Sequence, residues 1–146
     1  MTKLWIAALT GALFAAPAFA QDGDAAAGED AFRQCATCHA IVDADGNAIA
    51  GRANMRTGPN LYGVVGRPAG SVEGFRYRPD IVEAGEGGLV WDQESLTAYL
   101  QDPGGFLSEA LGKRARSGMS YQVRDPAEAA NLAAFLALHG AVEGEG

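Results

Sequence analysis

Two thiols and an imidazole fall within five residues: Cys35, Ala36, Thr37, Cys38, His39. These are the only cysteines in the chain. On consecutive turns of a helix, two such thiols can each add across a vinyl group of one haem, and the adjacent imidazole then lies under the iron as proximal ligand. A thioredoxin-like dithiol has the same spacing but sits in a βαβ context, and a zinc site needs a second pair of ligands. The chain supplies neither, so the pentapeptide reads as covalent haem attachment. A haem-free exported dithiol protein is the competing reading.

An iron held on one face by His39 needs an account of its other face. Histidine and methionine are the usual protein ligands, which leaves His139, Met55 and Met119 beyond the N-terminal segment. His139 is expected at the frayed, solvent-facing end of the last helix. Met55 lies four residues before Pro59, close in sequence to the His39 side, and would have to cross to the opposite face. Met119 stands far along the chain in a glycine-flanked loop that can wrap round, and it is the favoured ligand. A lone methionine more often fills a gap in a core; the haem motif is what gives Met119 this role.

The elements that must position these residues can be read from periodicity and punctuation. Asp22 and Asp24 offer N-caps and an acidic start for a helix predicted from about Ala25 to Cys38. Gly28, Phe32 and Cys35 recur at i, i+4, i+7, and Gly28 permits another helix to cross at close range. From Ile41 to Thr57 the pattern is polar and broken, with Asp45 and Gly46 marking a tight turn: a surface loop, at most a short hairpin. Asp43, Asp45 and Asn47 imitate the start of a calcium loop, but Ala48 and Asn54 stand where glycine and glutamate are required. Pro79 is expected to open a short helix through Glu83, with Gly85 as its stop. Asp92 caps a clearer helix carrying Leu96, Tyr99 and Leu100, which Asp102 and Pro103 end. A long glycine-bearing connection is then expected through to Tyr121. The last helix starts at Asp125, Pro126, Ala127, Glu128, combining an N-cap, proline at N1 and a capping-box glutamate. Its apolar residues Leu132, Phe135 and Leu136 are expected to meet Gly28 and Phe32, and Gly140 stops it.

Met1 to Ala20 has a basic start, an apolar run from Leu4 to Ala16, and Ala18-x-Ala20, the pattern of a cleavable secretory signal peptide. The run falls short of the roughly 20 apolar residues that span a bilayer. Cleavage after Ala20 leaves residues 21–146 as a single exported domain, without membrane insertion and expected to be monomeric. With Lys3 gone, 10 basic residues face 18 acidic ones. That balance excludes nucleic acid as a partner, since phosphate binding needs a basic surface. The sign is reversed locally before and after Met119, where Lys113, Arg114, Arg116 and Arg124 gather.

In order along the chain stand CxxCH, TGPNLYG from Thr57 to Gly63, Gly66-Arg67, Phe75-x-Tyr77, Trp91, Tyr99-Leu100, Met119, and Leu132-x-x-Phe135-Leu136. The series resembles a class I cytochrome c, and its longer loops after His39 and before Met119 resemble the large bacterial cytochrome c2 type. The likeness covers about Asp24 to Leu138. It implies an all-α fold of short helices and long loops wrapped around one haem c, bound covalently through Cys35 and Cys38, with His39 and Met119 on the iron. It also implies that Pro59 offers its carbonyl to His39, that Arg67, Tyr77 and Trp91 donate to haem propionates, and that Tyr99 bonds near the Met119 sulfur. Ile81 stands where the short mitochondrial form has an asparagine.

The implied function is one-electron transfer in the bacterial periplasm, not catalysis. The implied partners are membrane redox complexes docking at the haem edge: a bc1-type donor, and a photosynthetic reaction centre or terminal oxidase as acceptor. Proteins of this type ring that edge with lysines, whereas only Lys113 remains here after cleavage, so the Lys113, Arg114, Arg116 cluster is the candidate docking patch. The acidic balance keeps a periplasmic dehydrogenase open as the electron donor. A haem protein with an open sixth site, acting as sensor or enzyme, is the alternative from another class.

Overall fold

The computed structural model describes residues 23–140; the expected signal peptide and Asp22 lie outside the described residues. The described chain forms five helices and one hairpin: α1 Ala25–Cys35, β1 Ile41–Val42, β2 Ala48–Ala50, α2 Pro79–Glu86, α3 Gln93–Gln101, α4 Pro103–Leu111 and α5 Pro126–Ala137. Long loops carry the remainder.

The crossing of α1 and α5 organises the core. Asp24 caps α1 by accepting the N–H groups of Ala26 and Ala27, and its own N–H donates to Asn131 Oδ1 at 2.7 Å. A Cβ on Gly28 would lie 2.6 Å from the Asn131 carbonyl carbon and 2.8 Å from Phe135 Cβ, so only glycine lets the helices meet this closely. Phe32 and Phe135 then pack with ring centroids 5.6 Å apart. Leu132 and Leu136 are buried beside them, and Leu96, Tyr99 and Leu100 of α3 close the same cluster. As expected from the periodicity, the face bearing Gly28 and Phe32 meets the face bearing Leu132, Phe135 and Leu136.

Several boundaries differ from the sequence reading, each for a local reason. Helix α1 ends at Cys35, and Ala36 to Cys38 form a turn closed by Cys38 N–H and His39 N–H on the Cys35 carbonyl. Gly85 lies inside α2 and does not stop it: a Cβ there would come within 2.9 Å of the Ala69 carbonyl carbon, so this glycine serves a close approach, and Gly87 caps the helix. The expected loop after Pro103 begins as α4, because Asp102 accepts the Gly105 N–H and Pro103 sits at N1, an N-terminal signature that outweighs two glycines. Glu128 makes no capping box. Gln34 of α1 donates to it at 3.5 Å, leaving Asp125 alone to cap α5 through Ala127 N–H.

Candidate haem site

The segment after the hairpin brings Gly58 and Pro59 under His39. Gly58 N–H donates to the Cys38 carbonyl at 2.7 Å, and the Pro59 carbonyl lies 2.8 Å from His39 Nδ1. A carbonyl can only accept, so Nδ1 carries the proton and Nε2 keeps its lone pair for a metal. A Cβ on Gly58 would sit 2.5 Å from Nδ1 and 2.8 Å from Nε2. The ring is therefore seated against bare backbone on one side and oriented by one hydrogen bond. Burial pushes the imidazole below its ordinary pKa, and the Pro59 carbonyl works against that shift. Neutral imidazole is the ligating form.

Cys35, at the end of α1, and Cys38, on the turn that follows, are not joined to each other and lie beside this cradle. Burial, with the Glu128 carboxylate adding to it, pushes the Cys35 thiol up to about 11. A redox dithiol needs the opposite shift, toward thiolate at neutral pH. No cluster of three or more His, Cys, Asp or Glu that could complete a zinc site occurs among the described residues. Two thiols, one oriented imidazole and a soft thioether at Met119 form a donor set that fits a covalently attached haem.

Met119 is partly buried against the hydrophobic core. Its N–H donates to Ser117 Oγ at 3.0 Å, and Ser117 Oγ shares a 2.7 Å hydrogen bond with Tyr99 OH. Tyr99, from α3, is buried, which raises its pKa, while the bond to Ser117 pulls the other way. Tyr99 thus reaches the Met119 segment through Ser117. Met119 and Ser117 also line an open cavity of about 360 Å³ together with Arg78, Asp102 and Gln122.

Arg67 and Trp91 are brought together by backbone pairing: Gly66 N–H donates to Trp91 O at 2.7 Å, and Trp91 N–H to Arg67 O at 3.0 Å. Two donors of the Arg67 guanidinium already serve carbonyls, Tyr62 O at 2.9 Å and Asn60 O at 3.1 Å. Tyr77 packs edge-on to Phe75, and its hydroxyl accepts a long 3.4 Å bond from Val72 N–H. Trp91 is buried, with Tyr99 and Phe106 against its ring. Ile81 packs against the hydrophobic core.

His139 is partly buried rather than fully in solvent. Its ring lies edge-on to Phe135 with centroids 4.7 Å apart, and Nε2 is buried without a hydrogen-bond partner. Van der Waals contact at the α1–α5 end of the molecule holds it. Lys113 Nζ is bound by both Glu83 oxygens at 2.6 and 2.8 Å, so the basic patch before Met119 rests on Arg114 and Arg116.

Three residues escaped the sequence reading as parts of this site. Asn60 stitches the TGPN loop to β1, accepting from Val42 N–H at 2.9 Å and donating to Val42 O at 2.8 Å. Gly58 seats the imidazole, and Ser117 links Met119 to Tyr99. The available signals were the glycine directly before Pro59 and a hydroxyl two residues before Met119, a spacing that suits a side-chain-to-backbone turn.

No family model matches the chain. Curated relatives do. Cytochrome c2 of Rhodovulum adriaticum is 53% identical over 122 residues, covering 83% of this chain and 96% of the relative. Cytochrome c-550 of Paracoccus denitrificans is 43% identical over 135 residues, 90% and 83% of the two chains. Among solved structures, cytochrome c2 from Rhodobacter sphaeroides superposes with a TM-score of 0.77 at 48% identity, covering 81% of this chain and 97% of that one.

Proposed function

Because the chain belongs to the cytochrome c2 family of class I c-type cytochromes, whose members carry one covalent haem c, we propose that it is a soluble periplasmic one-electron carrier. When bound, haem supplies the one-electron couple of that iron. Cys35 and Cys38 would hold it covalently and His39 and Met119 would ligate it, while Pro59 keeps the His39 ring in the ligating tautomer. Arg67, Tyr77 and Trp91 would provide donors for its propionates, the Arg67 guanidinium having five N–H groups. Arg67 adds positive charge nearby while bracing the backbone at Asn60 and Tyr62. The observation that carries this reading is the seat of His39 on Gly58 and Pro59. It supports a metal ligand oriented in advance, one residue from a paired-thiol turn.

Methionine ligation would favour the reduced state and raise the potential. With His39 and Met119 both on the metal, no position would be left for oxygen or peroxide, which favours transfer over turnover. Electrons come from a bc1-type complex and pass to a reaction centre or terminal oxidase, with docking at the exposed haem edge beside Arg114 and Arg116. The overall acidity and the Lys113–Glu83 pair favour a second reading, in which a periplasmic dehydrogenase is the donor. The exported domain spans residues 21–146 and works as a monomer. Intact-mass measurement tests the first premise: one haem added through two thioethers is expected, and an unmodified polypeptide would overturn it. Rapid carbon monoxide binding by the reduced protein at neutral pH would favour an open-site sensor or enzyme instead.

A further inference from the structure

Between two buried anchors, Ala115 and Val123, the chain carries Met119 through residues 116–122 without helix or strand. Met119 N–H bonds within the loop, to Ser117 Oγ. Among the described residues, one backbone N–H of this span reaches another element: Arg116 N–H donates to Asp80 Oδ2 at 2.7 Å. One turn further along α2, Glu83 binds Lys113 at the loop's entry. Two of the three acidic side chains of this short helix, Asp80 and Glu83, therefore grip the segment that leads to Met119.

Helix α2 is suited to that task. Pro79 at N1 sets its first turn, and Asp80 in that turn is favoured by the helix dipole. The N-cap, Arg78, makes no side-chain capping bond, and the Asp80 carboxylate turns outward to the loop. Ala84 is buried and Gly85 lies against the Ala69 backbone, so the helix is seated on the core and serves as a fixed post. A carboxylate accepting a backbone N–H is a charge-assisted bond, stronger than a neutral one. The Lys113–Glu83 pair is half exposed, and pairs of that kind contribute little.

We propose that α2 clamps the Met119 loop and that Asp80 is the positioning residue, its carboxylate fixing the backbone at Arg116 and so limiting how far the loop opens. The clamp rests on the reading of Met119 as an iron ligand. Its consequence is quantitative: an external ligand for the iron binds only to the opened loop, so its apparent affinity reports the open fraction. Breaking the Asp80 bond raises that fraction.

The test is imidazole binding to the oxidised, haem-loaded exported protein, followed by its absorption spectrum. D80A is expected to bind imidazole on the order of tenfold more tightly, the effect of losing one charge-assisted bond. D80N keeps an acceptor oxygen at the same place and should return most of that change. E83Q should shift affinity less than threefold, and high salt should erase its effect. Equal gains for D80A and D80N would overturn the proposal, because lost charge and not a lost bond would then be responsible. An unchanged D80A, alongside an M119A variant that binds imidazole freely, would overturn the clamp and leave the ligand reading intact. Wild-type protein that binds imidazole as tightly as M119A would overturn the ligand reading itself. Should D80A not fold, amide hydrogen exchange at Arg116 decides: slow exchange in the wild type, largely kept in D80N, supports the clamp, and unprotected exchange in the wild type overturns it.

Discussion

Replacing Gly58 with alanine puts a methyl group against the face of His39. The new Cβ would sit 2.5 Å from Nδ1 and 2.8 Å from Nε2, whereas non-bonded heavy atoms settle at about 3.5 Å. The ring or the Gly58 backbone must therefore move by about 1 Å. Backbone movement is resisted by the Gly58 N–H bond to Cys38 O, so the imidazole gives way. Its bond to Pro59 O, now 2.8 Å, would stretch past useful length. Losing that bond removes about 1 kcal/mol and lowers the basicity of the ring as a ligand. A less basic ligand stabilises the oxidised iron less, so the potential rises. If most of that 1 kcal/mol falls on the oxidised state, the rise is on the order of 20–40 mV in a one-electron couple. Spectroelectrochemical titration of G58A beside the wild type measures it directly. An unchanged potential together with an unchanged thermal midpoint would refute the reasoning, since the seat would then impose nothing on the ring.

The crossing of α1 and α5 gives a stability prediction: G28A forces the helices apart at Asn131 and Phe135 and should cost 1–3 kcal/mol or more in denaturant unfolding, as overpacking does. Ser95 holds the Asp92 carboxyl below its ordinary pKa by donating its backbone N–H and hydroxyl. A carboxyl lowered on folding stabilises the protein above its unfolded value near 3.9 and loses that contribution as pH falls through the folded value. Losing this N-cap should make D92A about 1 kcal/mol less stable at neutral pH, and the lowered carboxyl predicts that the gap narrows in strong acid; a gap independent of pH would contradict this. Replacing Lys113, Arg114 and Arg116 with alanine should slow electron transfer to an acidic partner at low salt. Rates indifferent to salt before and after would remove the docking patch.

How much of this was legible in the sequence depended on the range of the forces involved. The α1–α5 crossing was readable because Gly28, Phe32, Leu132 and Phe135 announce themselves by helical spacing. Capping residues marked the starts of α1, α3 and α5 for the same local reason. Helix α4 was not readable, since Gly104 and Gly105 resemble a loop until Asp102 is seen to cap them. Gly85 looked like a stop because its partner, the Ala69 backbone, is distant in sequence. The same holds for Ser117 with Tyr99 and for Asp80 with Arg116, whose partners lie 18 and 36 residues away. His139, expected in solvent, is held by Phe135 one turn earlier, a contact that helical spacing permitted but did not require. The bonds from Arg67 to the Tyr62 and Asn60 carbonyls come from the fold of the loop, which no local pattern encodes.

The central claim is that Met119 closes the iron opposite His39, and the M119A variant tests it most directly. Its oxidised absorption spectrum should change from low-spin to high-spin, with a lowered reduction potential. A spectrum and potential identical to those of the wild type would remove Met119 from the site and contradict the account.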